Sequence, residues 1–76
     1  MRTISENTNI AYLGKVYRVE NITFRTSGDI RTLKLIPLTS KLVADKRYKP
    51  LYILGGLIID VVSAGAMLEI VTKYKI

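Results

Sequence analysis

The fold depends on how residues 51–72, LYILGGLIIDVVSAGAMLEIVT, are interpreted, because this is the most apolar part of the chain. As a helix these 22 residues, flanked by Lys49 and Lys73, would be long enough to span a bilayer. Asp60 and Glu69 lie nine residues apart, however, and would project from opposite sides of that helix. Each carboxylate would cost about 2.5 to 3.5 kcal/mol at the bilayer centre. We therefore expect no membrane span.

The same stretch is orderly when it is interpreted as β-structure. A two-residue turn at Gly55-Gly56 predicts a hairpin over residues 51–62, because glycine tolerates the positive φ that tight hairpin turns require. A second turn at Ala64-Gly65 would place Asp60 opposite Glu69 on neighbouring strands.

The remaining segments also favour strands. Residues 68–76 alternate between apolar and polar positions, which is typical of a half-buried strand. Residues 9–26 are rich in β-branched and aromatic side chains, with a bulge expected at Glu20-Asn21 where the alternation slips. The sequence TSGD at 26–29 predicts a turn. Pro37 should end the next strand or place it at a sheet edge, because proline has no N–H for the ladder.

Together these elements predict a mostly β protein, with a flexible N-terminal arm over residues 1–8 and a single small β domain over residues 9–76. We expect an antiparallel sheet of five to six short strands that closes into an SH3-like or OB-like barrel. One short helix is allowed near residues 40–48, where Thr39 or Ser40 would cap it. The alternative is a flat two-layer α+β sheet with one helix over it.

The composition argues against an enzyme. The 76 residues include neither cysteine nor histidine, which removes disulfides, thiolate chemistry, the usual zinc sites and histidine acid–base catalysis. We therefore expect no catalytic residues, no metal and no cofactor. Asp60 opposite Glu69 could serve as an acid–base pair or hold a hard cation, but two ligands alone make a poor site for a cation that takes six or more oxygens. We therefore interpret them as charges that keep apolar strands from pairing with other chains. Because no apolar export signal follows the N-terminus, we expect a cytoplasmic location.

The positive charge is concentrated in one part of the chain. Residues 15–49 hold nine Lys or Arg against three acidic residues, whereas residues 50–72 hold two acidic residues and no basic one. A field of this kind favours polyanions such as nucleic acid.

Basic side chains near tyrosines predict a nucleic-acid interface, because Lys and Arg contact phosphates and tyrosine rings stack on bases. Tyr17 with Lys15 and Arg18 would extend this surface. We therefore predict a small basic nucleic-acid-binding protein, with single-stranded DNA or RNA favoured over duplex. The candidate binding residues are Arg25, Arg31, Lys34, Lys41, Lys46, Arg47, Tyr48, Lys49 and Tyr52.

A second hypothesis concerns protein partners. Both faces of the predicted hairpin from Leu51 to Val62 are apolar, and a chain this short has little material to cover two faces. A homodimer or a partner protein would supply the second cover. The alternative function is thus a small interaction module or inhibitor that self-assembles or binds a partner through the hairpin.

Overall fold

The protein forms a curled β-sheet of six strands. The computed structural model describes residues 4–74, without the side chains of Leu57, Ala64 and Tyr74. The strands are β1 (Asn9–Tyr12), β2 (Lys15–Phe24), β3 (Ile30–Pro37), β4 (Leu51–Ile53), β5 (Leu57–Ala64) and β6 (Met67–Tyr74). Their order across the sheet is β4-β3-β2-β1-β6-β5. The prediction of a mostly β protein with five to six short strands is confirmed, but the sheet is mixed, because β1 and β6 pair in parallel.

Several local sequence signals appear in the structure where they were predicted. The TSGD sequence at 26–29 lies in the connection between β2 and β3, and β3 ends at Pro37. Val19 pairs with Leu35 while Asn21 pairs with Lys34, so the register slips at the predicted bulge. These features depend on a few neighbouring residues, which is why the sequence alone indicates them.

The prediction of a short helix near residues 40–48 is wrong. No helix occurs within residues 4–74, and residues 38–50 form turns and bends around an isolated bridge between Leu38 and Ala44. Leu42 has a left-handed backbone with φ of 61°, which interrupts a right-handed helix in the middle of that segment. Accordingly, nothing in the described part of the chain is a helix long and apolar enough to cross a membrane.

The hairpin predicted over residues 51–62 is also wrong. Leu51–Ile53 pair with Leu33–Leu35 of β3, whereas β5 pairs with β6. The two predicted partners therefore lie at opposite borders of the sheet. Separated in this way, each strand has to bury only one face. In β4 the side chain of Ile53 is buried and that of Tyr52 is exposed.

The short connection between β4 and β5 explains the curl of the sheet. Only residues 54–56 separate the two strands, and Gly56 turns the chain with φ of 101°. From Ile53 to Leu57 the chain can extend about 14 Å at most. The borders of a flat six-stranded sheet would be about 24 Å apart. The sheet must therefore curl until its borders approach, although β4 and β5 do not pair and the sheet is not closed.

The core lies on the inner face of the curl. Every strand contributes at least one buried apolar side chain, and Leu33 and Leu35 on β3 are exposed by only 2 % and 0 %. Ile4 joins this core from the segment before β1, and Asn7 donates its backbone N–H to the Val19 carbonyl at 2.8 Å. The buried apolar residues are Ile4, Ile10, Val19, Ile30, Leu33, Leu35, Ile53, Ile59, Val61 and Ile70.

The β5–β6 turn differs by one residue from the predicted one. Ala64 pairs with Met67 across a turn at Gly65-Ala66, rather than at Ala64-Gly65. This register places Asp60 opposite Val71 instead of opposite Glu69. The two carboxylates share the outer face but are not direct neighbours, so the predicted pairing is wrong.

Candidate functional site

The basic loop, residues 38–50 between β3 and β4, is held in a defined conformation by backbone hydrogen bonds. The Thr39 N–H donates to the Val43 carbonyl at 2.8 Å, and the Val43 N–H approaches the Thr39 hydroxyl oxygen at 3.4 Å. Arg18 on β2 donates to the Leu42 carbonyl at 3.0 Å. Arg18 thus ties the loop to the sheet, which orders the loop before any ligand is present.

Asp45 anchors the second half of this loop. Its side chain is only 7 % exposed, and its carboxylate accepts hydrogen bonds from the Arg47 backbone N–H, Nε and Nη2 at 3.1, 2.9 and 2.8 Å. The side-chain bonds from Arg47 lower the pKa of Asp45 below its ordinary value, an effect that burial partly opposes, and they raise the pKa of Arg47. Much of the charge of Arg47 is therefore compensated within the protein.

Tyr48 follows directly and presents an exposed aromatic ring. The residue is 58 % exposed. The Lys15 Nζ lies 5.5 Å from the ring centroid, and the Arg47 Cζ also lies at 5.5 Å. These distances are within the range of cation–π attraction. The ring therefore has two cations close to it, one of which comes from the distant start of β2.

A groove lies between the basic loop and the sheet, with a cavity volume of about 460 Å³. This volume is within the range of about 300 to 1,000 Å³ that is usual for ligand sites. Tyrosine, proline and leucine side chains supply apolar walls, while Lys15 and Lys49 supply positive charge. The lining residues are Lys15, Val16, Tyr17, Pro37, Leu38, Thr39, Ser40, Asp45, Tyr48, Lys49, Pro50 and Leu51.

Lys34 and Tyr52 form a second tyrosine–cation pair at another place. The Lys34 Nζ lies 5.7 Å from the Tyr52 ring centroid and 3.0 Å from Glu20 Oε2. The two residues are direct partners in the ladder between β3 and β4, so their side chains share one face of the sheet. This is the outer face, because the neighbouring residues Leu33, Leu35 and Ile53 are buried on the other one. The hydrogen bond to Glu20 raises the pKa of Lys34, which burial partly offsets. A carboxylate thus accompanies this pair, which makes it less suited to phosphate.

Arg25 and Arg31 lie at the opposite end of the sheet from the groove. Arg25 follows β2, and Arg31 is the second residue of β3. The distance along β3 from Arg31 to Pro37, which lines the groove, is about 20 Å at roughly 3.4 Å per residue. Neither arginine can share a short ligand with Tyr48.

The nine predicted residues are therefore distributed over three places. The basic loop carries five of them, with Tyr48 and Lys49 at the groove and Lys41 and Lys46 exposed. The structure adds Lys15, which the sequence indicated only as an extension of the surface, because folding places the start of β2 beside the basic loop. Among residues 4–74, no cluster of acidic side chains is placed to hold a metal ion.

Comparison with protein-family models, curated proteins and solved structures found no match to this chain.

Proposed function

We propose that the protein binds single-stranded nucleic acid, DNA or RNA, in the groove beside the basic loop. The observation that carries the proposal is the exposed Tyr48 ring, which borders an apolar groove and has the Lys15 Nζ and the Arg47 Cζ each at 5.5 Å from its centroid. Proteins that bind single strands combine a positive groove with aromatic rings on which bases stack.

The parts of one nucleotide have different partners in this site. A base stacks on Tyr48, while the neighbouring phosphates contact Lys15 and Lys49 at the groove and Lys46 beside it. A base can stack on a side chain only when it has left its own stack, so the site favours a single strand over a duplex. The defined conformation of the loop reduces the entropy lost on binding.

The concentrated charge contributes to the rate of association. The excess of basic residues over 15–49 attracts a polyanion towards the groove before any contact forms. Arg47 contributes less charge than its position implies, because Asp45 accepts both of its side-chain hydrogen bonds. We assign Tyr48, Lys15, Lys46 and Lys49 as the principal binding residues, with Lys41 as a peripheral one.

The fold supports the same proposal. We assign the curled sheet to the SH3-like or OB-like barrels, since a sheet whose borders approach without pairing resembles a partly open barrel. The OB-fold is partly open in this sense and binds oligonucleotides. The protein would act by binding, without catalysis.

The proposal is tested by fluorescence anisotropy with a labelled single strand of about a dozen nucleotides and a duplex of the same sequence. For single strands, log K falls with log salt by about 0.7 for each phosphate neutralised. If three lysines neutralise three phosphates, the affinity should fall about 20-fold between roughly 50 and 200 mM salt. The single strand should bind more tightly than the duplex at both salts. No binding of either at about 50 mM would refute the proposal.

A further inference from the structure

The border strand β5 has a free edge. Within residues 4–74 its backbone pairs only with β6, so about half of its N–H and C=O groups point away from any ladder. Exposed edge strands are usually protected against pairing with other chains by lysine, proline, bulges or short length. β5 has eight residues, no proline and no basic residue, and Asp60 is its only charge.

A slot runs along the first half of this edge. Ile58, Ile59 and Asp60 line a cavity of about 320 Å³. Since the side chains of consecutive strand residues alternate between faces, a cavity lined by all three opens on the edge of the strand. The opposite wall consists of Arg25, Ser27, Asp29 and Ile30.

The slot exists because β4 is too short to cover β3. β4 pairs only with Leu33–Leu35, so the start of β3 at Ile30 has no neighbour on that side. The curl of the sheet brings this uncovered start of β3 near β5, and Ile30 forms part of the slot wall. The two walls belong to the same sheet at its two borders.

We propose that an extended segment of a partner protein enters this slot and pairs with β5 as an added strand. Addition of a strand to a free edge is a common mode of peptide recognition, in which main-chain hydrogen bonds provide affinity and alternate side chains provide specificity. A second copy of this protein would bring a whole sheet with its own edge strand, and the β2–β3 turn occupies that space.

The outer face of β5 defines the sequence of the added strand. Ile58, Asp60 and Val62 point outwards in succession, and the two apolar residues are 46 % and 40 % exposed. The side chains directly opposite on an added strand lie on the same face and contact them. The best complement is therefore an apolar residue, a Lys or Arg two positions on, and an apolar residue two positions further. This pattern is the same in both chain directions.

The test uses labelled, end-capped peptides and the full chain. The probe is Ser-Val-Thr-Lys-Thr-Val-Ser, compared with a peptide that has Glu in place of Lys and with a Lys peptide methylated on alternate backbone nitrogens. Binding is followed by anisotropy, and amide hydrogen exchange by NMR identifies the strand that becomes protected. The matched variants are Asp60→Lys and Asp60→Asn, since Asp60 is exposed and its replacement should leave the fold intact.

We expect the native protein to bind the Lys peptide about fivefold more tightly than the Glu peptide, because opposite charges attract and like charges repel across a ladder. Asp60→Lys should reverse this preference, and Asp60→Asn should abolish it. Backbone methylation should weaken binding by at least about tenfold, because each methylated nitrogen has lost its N–H and leaves a carbonyl oxygen of β5 without a donor. Slower exchange should appear in residues 57–64.

Three results would overturn the inference. Binding that survives backbone methylation would exclude strand pairing, and protection of Leu51–Ile53 alone would move the site to the other border. A concentration-dependent dimer with protected β5 amides and no added peptide would show that a second copy occupies the edge. Tyr48→Ala serves as the control for independence, because the groove and the slot share no lining residue and peptide binding should be unchanged.

Discussion

Replacement of Tyr48 by alanine tests the groove most directly, because Tyr52 provides a matched control. The two residues are 58 % and 57 % exposed, and each has a lysine Nζ at 5.5 or 5.7 Å from its ring. Only Tyr48 borders the groove with Lys49. Tyr52 lies on the outer face, where Glu20 accompanies the nearby lysine. We expect Tyr48→Ala to weaken oligonucleotide binding and Tyr52→Ala to leave it nearly unchanged.

The expected size of the effect follows from one stacked base. Stacking on an aromatic side chain contributes about 1 to 3 kcal/mol per base. At about 1.4 kcal/mol per tenfold change, Tyr48→Ala should raise Kd by about 5- to 140-fold. Tyr48→Phe keeps the ring and should stay within about twofold. Because tyrosine carries no charge at neutral pH, its loss should leave the slope of log K against log salt unchanged, whereas Lys49→Ala should reduce that slope by about 0.7.

The assay is an anisotropy titration of the native protein and the four variants at several salt concentrations, with urea unfolding as the stability control. Exposed side chains contribute little to folding, so the unfolding free energies should agree within about 0.5 kcal/mol. Equal weakening by Tyr52→Ala and Tyr48→Ala would contradict the assignment of Tyr48 to the binding site. An equal loss of affinity in Tyr48→Phe and Tyr48→Ala would show that the ring is not the contact.

Three further predictions concern the sheet and the basic loop. Leu35→Ala should lower the unfolding free energy by about 2 to 5 kcal/mol in a urea titration, because its fully buried side chain would leave a cavity; a loss under about 1 kcal/mol would contradict the core assignment. Gly56→Ala should cost about 1 to 3 kcal/mol since φ there is 101°, while Gly55→Ala, with open space around it and no left-handed φ, should change stability little; equal effects in thermal unfolding would count against the turn geometry. The Arg47 guanidinium depresses the pKa of Asp45, so the stabilisation by this pair should be complete above about pH 4 and be lost as pH falls through the lower folded-state pKa. The stability difference between the native protein and Asp45→Asn should therefore shrink only below about pH 4, and a difference that shrinks between pH 5 and 8 would exclude this origin.

Local sequence signals predicted the strands well because they depend on neighbouring residues. Pro37 cannot donate to a ladder and ends β3, and the slip in alternation at Glu20-Asn21 corresponds to a bulge in β2. The helix allowed near residues 40–48 failed for a related reason. A capping residue and two apolar side chains were compatible with a helix, but tertiary bonds such as that from the Asp45 N–H to the Pro37 carbonyl hold the segment in a non-helical path.

The glycine turn misled the sequence interpretation of strand pairing. Gly55-Gly56 indicates a chain reversal, and Gly56 does have the positive φ expected of it. A turn signal does not specify that the flanking strands pair with each other. In the folded chain β4 pairs with β3 and β5 with β6, because this arrangement buries one face of each strand against a common core.

The candidate site was only partly predictable. The cluster of charge around residues 46–49 is visible in the sequence, but Lys15 lies 5.5 Å from the Tyr48 ring only because β2 and the basic loop meet in the fold. The sequence also could not show that Asp45 would compensate Arg47 or that Glu20 would compensate Lys34. Such pairings depend on distances of a few ångströms, which arise only when distant segments pack.

Composition and short-range periodicity were sufficient to predict a small, mostly β, basic protein without cysteine or histidine chemistry. The folded chain was needed to establish which strands pair, that β1 and β6 run in parallel, and that the nine predicted binding residues are divided among three places. Strand pairing depends on which arrangement of all the strands buries the apolar faces against one core, and the pattern of residues within one strand contains no information on its neighbours. The groove beside Tyr48 and the slot beside β5 both result from that arrangement.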